Sequence, residues 1–417
     1  MFEDSRSIKP DLIIRNAAEV ITCTGDSMEE IGLLTNAAIA IKDGRIVGVC
    51  SNEEIELRFN SDEAVSIDAS GKVVAPGFVD SHTHLVFYGT RVEEYAAKLT
   101  GKNNPEQLKK LGIATGPNRT VELTRNRPEE ELLEQSKKRL LTMLEHGITT
   151  VESKSGYGLT TESEIKILEV SRRLNEETPL DVFNTFLGAH GFPENVTKAE
   201  YLDVIINEMI PQVGERGLAE FCDVWCDEGY FTAEESELIL KAGLQYGMKP
   251  KIHADAYSYI GGTDLAAEMK MVSVDHLNYT PVEVMEKLAE AKVTGVLMPS
   301  LDFAVSHKRP FEARKMLDLG MNIALATDLC PASYTQSMQF VIALACKLYQ
   351  FSVEEAIKAA TYGGARALDL DDRGVIQEGK LADLQIWDVP TYKHIAYELG
   401  TNIVETVIKN GKVVVNR

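Results

Sequence analysis

The sequence predicts an α/β protein built on a (β/α)8 TIM barrel, with a small β-sandwich module formed from both ends of the chain. Two observations favour this fold. The middle of the chain alternates short β-branched runs with longer stretches at helical spacing, and both ends are rich in strand-like segments. At 417 residues, the chain is also long enough for one large barrel and an accessory module.

The accessory module is predicted from residues 1–74 together with residues 370–417. The N-terminal part has apolar runs on either side of an Asp43-Gly44 turn, which is a hairpin signal. The C-terminal part repeats this style, with Asn410-Gly411 between its last two runs. Because two β-rich ends flank one long middle, we expect the ends to form one sheet module and residues 75–369 to form the barrel.

The barrel strands are predicted at eight short apolar runs in the middle of the chain. They cover residues 78–87, 147–155, 181–190, 219–228, 249–256, 272–279, 292–299 and 322–330. Eight βα units in about 295 residues fit a closed barrel. An open, doubly wound sheet is the alternative, and it is disfavoured because no GxGxxG or Walker A pattern follows a strand where that fold needs one.

The composition is that of a globular protein with an acidic surface. The chain has 43 Lys and Arg against 64 Asp and Glu, which gives a net charge of -21. This charge disfavours nucleic acid and anionic membranes as partners. The polar start of the chain, the lack of a long apolar run and the six scattered cysteines lead us to expect a cytoplasmic protein with reduced thiols.

Histidines mark the carboxyl ends of several predicted strands. His82 and His84 lie on the first strand, His190 on the third, His253 on the fifth and His276 on the sixth. Two residues that are two positions apart on a strand point to the same face. Since the carboxyl ends of barrel strands meet at the face that carries the active site, we expect these imidazoles to be neighbours.

The eighth predicted strand ends in an acid, Asp328, within the run NIALATD. A buried carboxylate at this place is costly unless it has a partner. Three imidazoles and this carboxylate suit one zinc or iron ion and leave room for a water, whose pKa the metal lowers toward about 7. The predicted metal ligands are His82, His84, His253 and Asp328.

Several motifs resemble the amidohydrolase superfamily. They are APGFVDSHTH at 75–84, KIHAD at 251–255, VDHL at 274–277 and ALATD at 324–328. Within that superfamily, the chain is most similar to the imidazolonepropionase family of histidine degradation. The matching segments are HTHLVFYGTR at 82–91, KSGYGL at 154–159 and TFLGAH at 185–190. The resemblance covers almost the whole chain and implies a hydrolase that opens a cyclic amide C–N bond by attack of a metal-activated hydroxide.

The resemblance also implies a role for each candidate residue. The four ligands would hold a single zinc or iron ion. The implied substrate-binding residues are Arg91, Tyr157 and His190. Asp328 would carry the proton from the water to the leaving ring nitrogen, and His276 would polarise the scissile carbonyl. The planar Arg91 guanidinium suits a carboxylate, so the implied substrate is a small carboxylate-bearing ring, imidazolonepropionate or an analogue.

The chain departs from the imidazolonepropionase pattern near the substrate. The family has a glutamate directly after HAD, where this chain has Ala256, and Tyr257 and Tyr259 would fill the space. Asn104 stands in place of a loop tyrosine. The other replaced segments are LGIATGPNRT at 111–120 and CPAS at 330–333. These changes, within the loop 103–120 and beside it, favour the hypothesis that the substrate ring or its side chain differs.

Other functions stay open from the sequence. A deaminase of a heterocyclic ring would need a glutamate at Ala256, and a non-catalytic metal-binding barrel would be expected to lose a ligand, although none is lost. Lys154 lies on the second strand rather than the fourth, which disfavours a two-metal centre bridged by a carboxylated lysine, whereas Asp227 could bind a second ion. Homodimerisation is common for this architecture, and we expect it here.

Overall fold

The computed structural model describes residues 8–101, 104–113, 116–307 and 311–417. Its strands form two sheets of eight. The strands are β1 (Leu12–Ile21), β2 (Leu33–Lys42), β3 (Arg45–Ser51), β4 (Val65–Asp68), β5 (Val73–Pro76), β6 (Phe78–Asp80), β7 (Ile148–Lys154), β8 (Asp181–Ala189), β9 (Phe221–Cys226), β10 (Lys249–Ala254), β11 (Ser273–His276), β12 (Thr294–Leu297), β13 (Ile323–Leu325), β14 (Leu384–Trp387), β15 (Val404–Lys409) and β16 (Lys412–Asn416).

Most helices connect the barrel strands or follow the last of them and cover their outer face, whereas the first and the last helix in the chain lie between strands of the other sheet. They are α1 (Asn52–Arg58), α2 (Val92–Leu99), α3 (Pro105–Lys110), α4 (Pro117–Arg125), α5 (Glu129–Glu145), α6 (Thr161–Glu177), α7 (Lys198–Val204), α8 (Ile210–Glu215), α9 (Ala233–Gln245), α10 (Gly262–Met269), α11 (Val282–Ala291), α12 (Pro299–Val305), α13 (Ala313–Asp318), α14 (Met338–Leu348), α15 (Val353–Lys358), α16 (Gly364–Ala367) and α17 (His394–Tyr397). Two π-helical segments, Ile205–Met209 and Ala359–Gly363, continue α7 and α15. No helix in the described ranges is both long and apolar enough to cross a membrane.

The eight predicted barrel strands are confirmed as β6 to β13. They are parallel and pair in sequence order, each with the next along the chain. The ends of the first and last strands meet, because Asp328 N–H donates to the His82 carbonyl at 3.1 Å and His84 N–H donates to the Leu329 carbonyl at 3.0 Å. These bonds bring the ring of strands to closure, as the barrel prediction requires and the open-sheet alternative does not.

The first strand is shorter than predicted, since β6 ends at Asp80 and the prediction runs to residue 87. The Asp80 carboxylate accepts hydrogen bonds from the Thr327 N–H and hydroxyl at 3.1 and 2.6 Å, and so binds the end of β6 to the residues after β13. Beyond Asp80 the chain keeps backbone contacts with both neighbouring segments, because the Thr83 carbonyl accepts the Lys154 N–H at 2.9 Å and Thr83 forms a parallel bridge with Leu329. These contacts hold His82 and His84 at the mouth of the barrel.

The strands from the two ends of the chain form a separate sheet. Its order is β16-β15-β14-β5-β1-β2-β3, and β4 pairs with β1 beside β5. Both predicted hairpin turns are present, with positive φ at Asp43, Gly44, Asn410 and Gly411, as two-residue turns of this type require. Gly77 alone separates β5 from β6, so the chain passes from this sheet into the barrel within one residue. The predicted domain boundaries stay a prediction.

Candidate active site

The five predicted metal-binding and catalytic side chains, and the predicted substrate-binding His190, meet at the carboxyl ends of the barrel strands. His82 and His84 follow β6, His190 follows β8, His253 lies in β10 and His276 ends β11. Asp328 follows β13. All six are buried, and neighbouring imidazole rings lie with their centres 4.6 to 5.9 Å apart.

Metal ligands need free lone pairs that face a common centre, and the four predicted ligands offer them. The Nε2 atoms of His82 and His84 lie 3.7 and 3.9 Å from Asp328 Oδ1. The His253 ring centre is 4.6 Å from that of His82. Within the described ranges, Nε2 of His82, Nε2 of His253 and Oδ1 of Asp328 are buried without a hydrogen-bond partner. Buried polar atoms rarely stay unpaired, so this donor set fits a divalent metal ion.

Two carboxylates orient the imidazoles from behind. His82 Nδ1 lies 2.6 Å from Asp275 Oδ2, and His253 Nδ1 lies 3.0 Å from Asp223 Oδ2. The 2.6 Å contact is a hydrogen bond, so Asp275 holds the proton on Nδ1 of His82 and leaves the Nε2 lone pair free for a metal. The Asp223 carboxylate lies beside His253 Nδ1 at ion-pair distance, and that nitrogen has no hydrogen-bond partner among the described residues. Neither carboxylate was predicted as a functional residue. Their signal is an acid inside a short apolar strand, FCDVWC for Asp223 and SVDH for Asp275.

The carboxylates belong to a fully buried ionic cluster beneath the histidines. Lys154 Nζ lies 2.9 Å from Glu152, 2.7 Å from Asp223 and 3.2 Å from Asp275. Lys251 Nζ lies 2.8 Å from Glu152. Taking five charged groups out of water is costly even when they are paired, so such a cluster is poor evidence for stability. Its position directly under the histidines indicates a role in the site.

Burial sets the protonation of the imidazoles. It lowers the pKa of His190 and of His276 to about 4, and it lowers the pKa of His82, His84 and His253 well below the usual range. All five rings are therefore neutral near pH 7. The neutral ring is the form that binds a metal or donates a hydrogen bond without adding charge.

The two predicted catalytic residues have unusual backbone conformations. His276 has a φ of 84° and Asp328 a φ of 46°, a region that side chains other than glycine seldom occupy. Such residues concentrate at functional sites, where the surrounding structure enforces them. Burial, followed by the neighbouring Asp80 carboxylate, raises the pKa of Asp328 to about 8. A cation beside the Asp328 carboxylate would lower its pKa.

A cavity of about 290 Å³ opens above the histidines. One of its walls is an aromatic column. The ring of His84 stacks on His190 at 4.6 Å, His190 stacks on Trp225 at 5.1 Å, and Trp225 stacks on Tyr230 at 3.6 Å. The column gives a small planar ring a flat surface to lie against. Neither Trp225 nor Tyr230 was predicted, because a single aromatic residue in a strand or loop carries no mark of the surface it will line.

The predicted substrate residue Arg91 lies at the edge of this cavity, but it has a partner on its own helix. Its Nε is 3.0 Å from Glu94 Oε2, and Lys98 Nζ is 2.6 Å from Glu94 Oε1. The Gly116 N–H also donates to Glu94, at 3.1 Å. Two cations thus share one buried carboxylate, which leaves one net positive charge at the edge of the cavity, within a protein of strongly negative charge.

The predicted substrate residue Tyr157 also lines the cavity, on a loop held by a buried acid. Glu164 accepts hydrogen bonds from the N–H groups of Gly156, Gly158 and Leu159 at 2.8, 2.7 and 2.6 Å. Gly156 has a φ of 112°, and a Cβ there would lie 2.7 Å from the Cβ of His190. Because Gly156 has no side chain, the Tyr157 loop can approach His190, the third predicted substrate-binding residue.

The structure also locates the departures from the family pattern. Ala256 is buried, and its carbonyl accepts a hydrogen bond from His307 Nε2 at 2.9 Å. Tyr257 lines the cavity and stacks on His307, and its side chain is about half exposed. Tyr259 is not among the residues that line the cavity, and its hydroxyl donates to Asp264 at 2.5 Å. That these two tyrosines fill the space of the family's glutamate stays a prediction.

Two of the remaining departures contribute to the cavity, through Gly116 and Pro117 of the segment 111–120 and through Cys330 and Ala332 of the segment 330–333. Asn104 is the exposed N-cap of α3 and accepts a hydrogen bond from Glu106 N–H at 2.8 Å. Of the loop 103–120, residues 103 and 114–115 lie outside the described residues. Asp227, the candidate for a second ion, accepts hydrogen bonds from the Tyr257 N–H and the Ser258 hydroxyl, so both of its oxygens have protein partners.

The barrel, the buried imidazoles and carboxylate that converge at its mouth, and the adjacent cavity are typical of the metal-dependent amidohydrolases. Models of the Amidohydrolase family match residues 233–414 and 66–111. A crystal structure of an adenosine deaminase from Xanthomonas campestris with bound zinc matches 98% of this chain and 93% of its own, with a TM-score of 0.72 and 18% identity. An atrazine chlorohydrolase of Arthrobacter aurescens with zinc matches 97% and 95%, with a TM-score of 0.69 and 18% identity. These two structures show the fold.

Proteins of similar sequence identify the family within this class. An imidazolonepropionase of Clostridium tetani is 44% identical over 417 residues, which cover 97% of this chain and 98% of the relative. An imidazolonepropionase of Geobacillus kaustophilus is 43% identical over 419 residues, with 97% and 98% covered. The chain belongs to the imidazolonepropionase family of amidohydrolases. The predicted resemblance and the predicted enzyme class are thereby confirmed.

Proposed function

We propose that this protein hydrolyses the cyclic amide C–N bond of imidazolonepropionate with the help of one divalent metal ion, zinc or iron. The observation that carries the proposal is a buried set of unpartnered ligand atoms in a chain that matches imidazolonepropionases over nearly its full length. The proposed metal ligands are His82, His84, His253 and Asp328. The proposed catalytic residues are Asp328 and His276, and the proposed substrate-binding residues are Arg91, Tyr157 and His190.

The buried charges favour a single ion. Two ammonium groups and four carboxylates lie within or directly beneath the ligand set, which leaves two net negative charges when all are ionised. They belong to Lys154, Lys251, Glu152, Asp223, Asp275 and Asp328. Uncompensated charge is very costly in a protein interior, and one divalent cation balances it. Three imidazoles and one carboxylate suit both zinc and iron, so both are proposed.

The side chains supply the proton transfers. A bound divalent ion acts as a Lewis acid and makes a water molecule nucleophilic near neutral pH. Asp328 faces the ligand nitrogens at 3.7 and 3.9 Å, so its carboxylate is placed to take a proton from the attacking water and return it to the leaving ring nitrogen. His276 is neutral, and its N–H is placed at the cavity to donate to the oxygen that becomes negatively charged.

The cavity fits a small ring that bears a carboxylate. Its volume of about 290 Å³ suits a single five-membered ring with a short side chain. The aromatic column provides a stacking surface, and the excess positive charge of Arg91 and Lys98 over Glu94 lies at the cavity edge. We propose that the ring stacks beside His190 and that the substrate carboxylate binds Arg91, with Tyr157 between them.

Steady-state hydrolysis tests the function directly. We expect the metal-loaded protein to turn over imidazolonepropionate with a kcat/KM above about 10⁴ M⁻¹s⁻¹. Hydantoins and related lactams should be poorer substrates, and no heterocyclic amine should release ammonia. Faster turnover of an analogue than of imidazolonepropionate would support the altered-substrate hypothesis instead. Ammonia release would support a deaminase, and a protein that holds no metal would support a non-catalytic barrel.

The predicted homodimer and cytoplasmic location stay predictions. Size-exclusion chromatography with light scattering tests the first, and a species with twice the mass of one chain is the expected result. Fractionation of the source cells tests the second. Neither result affects the proposed chemistry, because every residue of the proposed site comes from one chain.

A further inference from the structure

We propose that Lys154 is a positioning residue of the metal centre. Its ammonium group holds Asp223 and Asp275, and these two carboxylates in turn fix the rings of His253 and His82. The inference rests on the metal site of the proposed function and deepens it. It assigns a role to a lysine that contacts none of the proposed ligands itself.

Lys154 is the hub of the buried ionic cluster. It ends β7, the second barrel strand, and its side chain is fully buried. An ammonium group has three hydrogens to donate. Lys154 has three carboxylate partners, Glu152, Asp223 and Asp275, at 2.9, 2.7 and 3.2 Å. The first two contacts are hydrogen bonds and the third is an ion pair, so carboxylates from β7, β9 and β11 set the position of the group.

The same carboxylate oxygens contact both the lysine and the histidines. Asp275 Oδ2 lies 3.2 Å from Lys154 Nζ and 2.6 Å from His82 Nδ1. Asp223 Oδ2 lies 2.7 Å from Lys154 Nζ and 3.0 Å from His253 Nδ1. One cation thus connects, through one oxygen on each side, to two of the three proposed histidine ligands.

The other oxygen of each carboxylate is also fixed. Asp275 Oδ1 accepts a hydrogen bond from Ser273 at 2.8 Å, and Asp223 Oδ1 accepts the N–H groups of Val224 and His253 at 2.7 and 3.1 Å. Removal of the lysine would leave the two buried anions without the cation that contacts both, with the more distant charge of Lys251 as a weaker offset to their repulsion. We expect the carboxylates to move apart, so that the rings lose the acceptors that aim their Nε2 atoms at the ion.

Lys251 provides a matched control. It is also fully buried, lies on the neighbouring part of the barrel in β10, and pairs with Glu152 at 2.8 Å. Its other hydrogen bonds are to the Ser81 and Ala367 carbonyls, at 3.3 and 3.4 Å. No ion pair within the described residues joins it to Asp223 or Asp275. Lys251 therefore carries the same charge in the same cluster without holding a carboxylate that orients a ligand.

The experiment measures metal affinity without substrate. Full-length wild type, Lys154→Met and Lys251→Met are stripped of metal and titrated with Co²⁺ against a competing chelator. We expect Lys154→Met to bind Co²⁺ about 10- to 100-fold more weakly than wild type, with an altered visible Co²⁺ spectrum. Lys251→Met loses an equal charge and is expected to lose folding stability, but to keep the wild-type Co²⁺ spectrum and an affinity close to that of wild type.

Two results would overturn the inference. Lys154→Met could bind Co²⁺ with wild-type affinity and spectrum, or Lys251→Met could weaken binding as much as Lys154→Met does. If Lys154→Met does not fold, Asp275→Asn, which removes the connection from Lys154 to His82 and keeps the one through Asp223 to His253, must weaken Co²⁺ binding, and an unchanged affinity overturns the inference. A wild-type protein that binds no Co²⁺ overturns the proposed metal centre together with this inference, and so is distinct from the other results.

Discussion

The two eight-stranded sheets bury opposite kinds of side chain. The terminal sheet has an apolar core. Within it, Ile14 of β1, Ile39 of β2 and Ile386 of β14 are fully buried in one cluster. The interior of the barrel, at the carboxyl ends of its strands, instead holds imidazoles, carboxylates and ammonium groups. Apolar burial stabilises a fold, whereas buried charges are retained at a cost to stability. The difference shows that the terminal sheet contributes stability and the barrel end carries the chemistry.

The junction of the two sheets lies on the other side of the barrel from the site. Lys409 of β15 contacts Asp181 and Asp383 at 2.7 and 2.6 Å, and Arg373 contacts Asp181 and donates to Thr150 at 2.9 Å. Asp181 begins β8, so these ion pairs are at the amino ends of the barrel strands. Changes in the terminal sheet should therefore reach the site only through overall stability.

The largest expected effect comes from loss of a proposed ligand. His253→Ala should lower kcat/KM by about 10³-fold or more, because the metal supplies several kcal/mol of transition-state stabilisation. Metal analysis and steady-state kinetics check this. His146→Ala, at the end of α5, is the matched control and should keep full metal content.

A variant in the terminal sheet is expected to lose stability and to keep its metal affinity. Ile386→Ala should lower the free energy of unfolding by about 2–5 kcal/mol, because it opens a cavity in a fully buried apolar cluster. Metal affinity and KM should stay at wild-type values. Denaturant unfolding and a Co²⁺ titration measure the two quantities. A loss of metal affinity in this variant would show that the two regions are not separate.

A smaller effect is expected at the edge of the cavity. Arg91→Met should raise KM for imidazolonepropionate by roughly 10- to 100-fold, because the substrate carboxylate loses one charged hydrogen-bonding partner. Arg119→Met, which removes an arginine paired with Glu122 on the surface of α4, is the control. An Arg91 variant with an unchanged KM would place the substrate carboxylate elsewhere, and Lys98 would then be the next residue to change.

The smallest effect is expected for the acid that holds the Tyr157 loop. Glu164→Gln replaces a carboxylate that accepts three N–H groups by an amide with one acceptor oxygen, so the loop loses about 1 kcal/mol of support and kcat/KM should fall roughly fivefold. The effect is isolated by comparing the kinetics of this variant with those of Glu162→Gln, which changes an exposed neighbour on α6. Equal kinetics in both variants would mean that the loop does not depend on Glu164.

The sequence was sufficient to predict the eight barrel strands, both hairpins and the convergence of six site residues. These features follow from short-range patterns and from the rule that parallel strand ends meet. The pairing of Arg91 with Glu94 was missed, although the two lie on one helix turn, because either charge could have faced solvent. The stack from His84 to Tyr230 was missed because it joins side chains from the ends of three different strands.

The carboxylates behind the histidines were missed for a different reason. A strand pattern tells which residues are buried, but it does not tell which buried charges pair with one another. Glu152, Lys154 and Lys251 occur on two strands, and only the register of those strands brings them together. The chemistry could therefore be predicted from the ligands, whereas the groups that orient the ligands required the structure.

Anomalous X-ray diffraction from crystals of the metal-loaded protein, recorded at the zinc and iron absorption edges, tests the central claim most directly. The account predicts one peak per chain, surrounded by His82, His84, His253 and Asp328. Two peaks in the barrel, or a single peak coordinated by the carboxylates of the ionic cluster in place of Asp328, would contradict it.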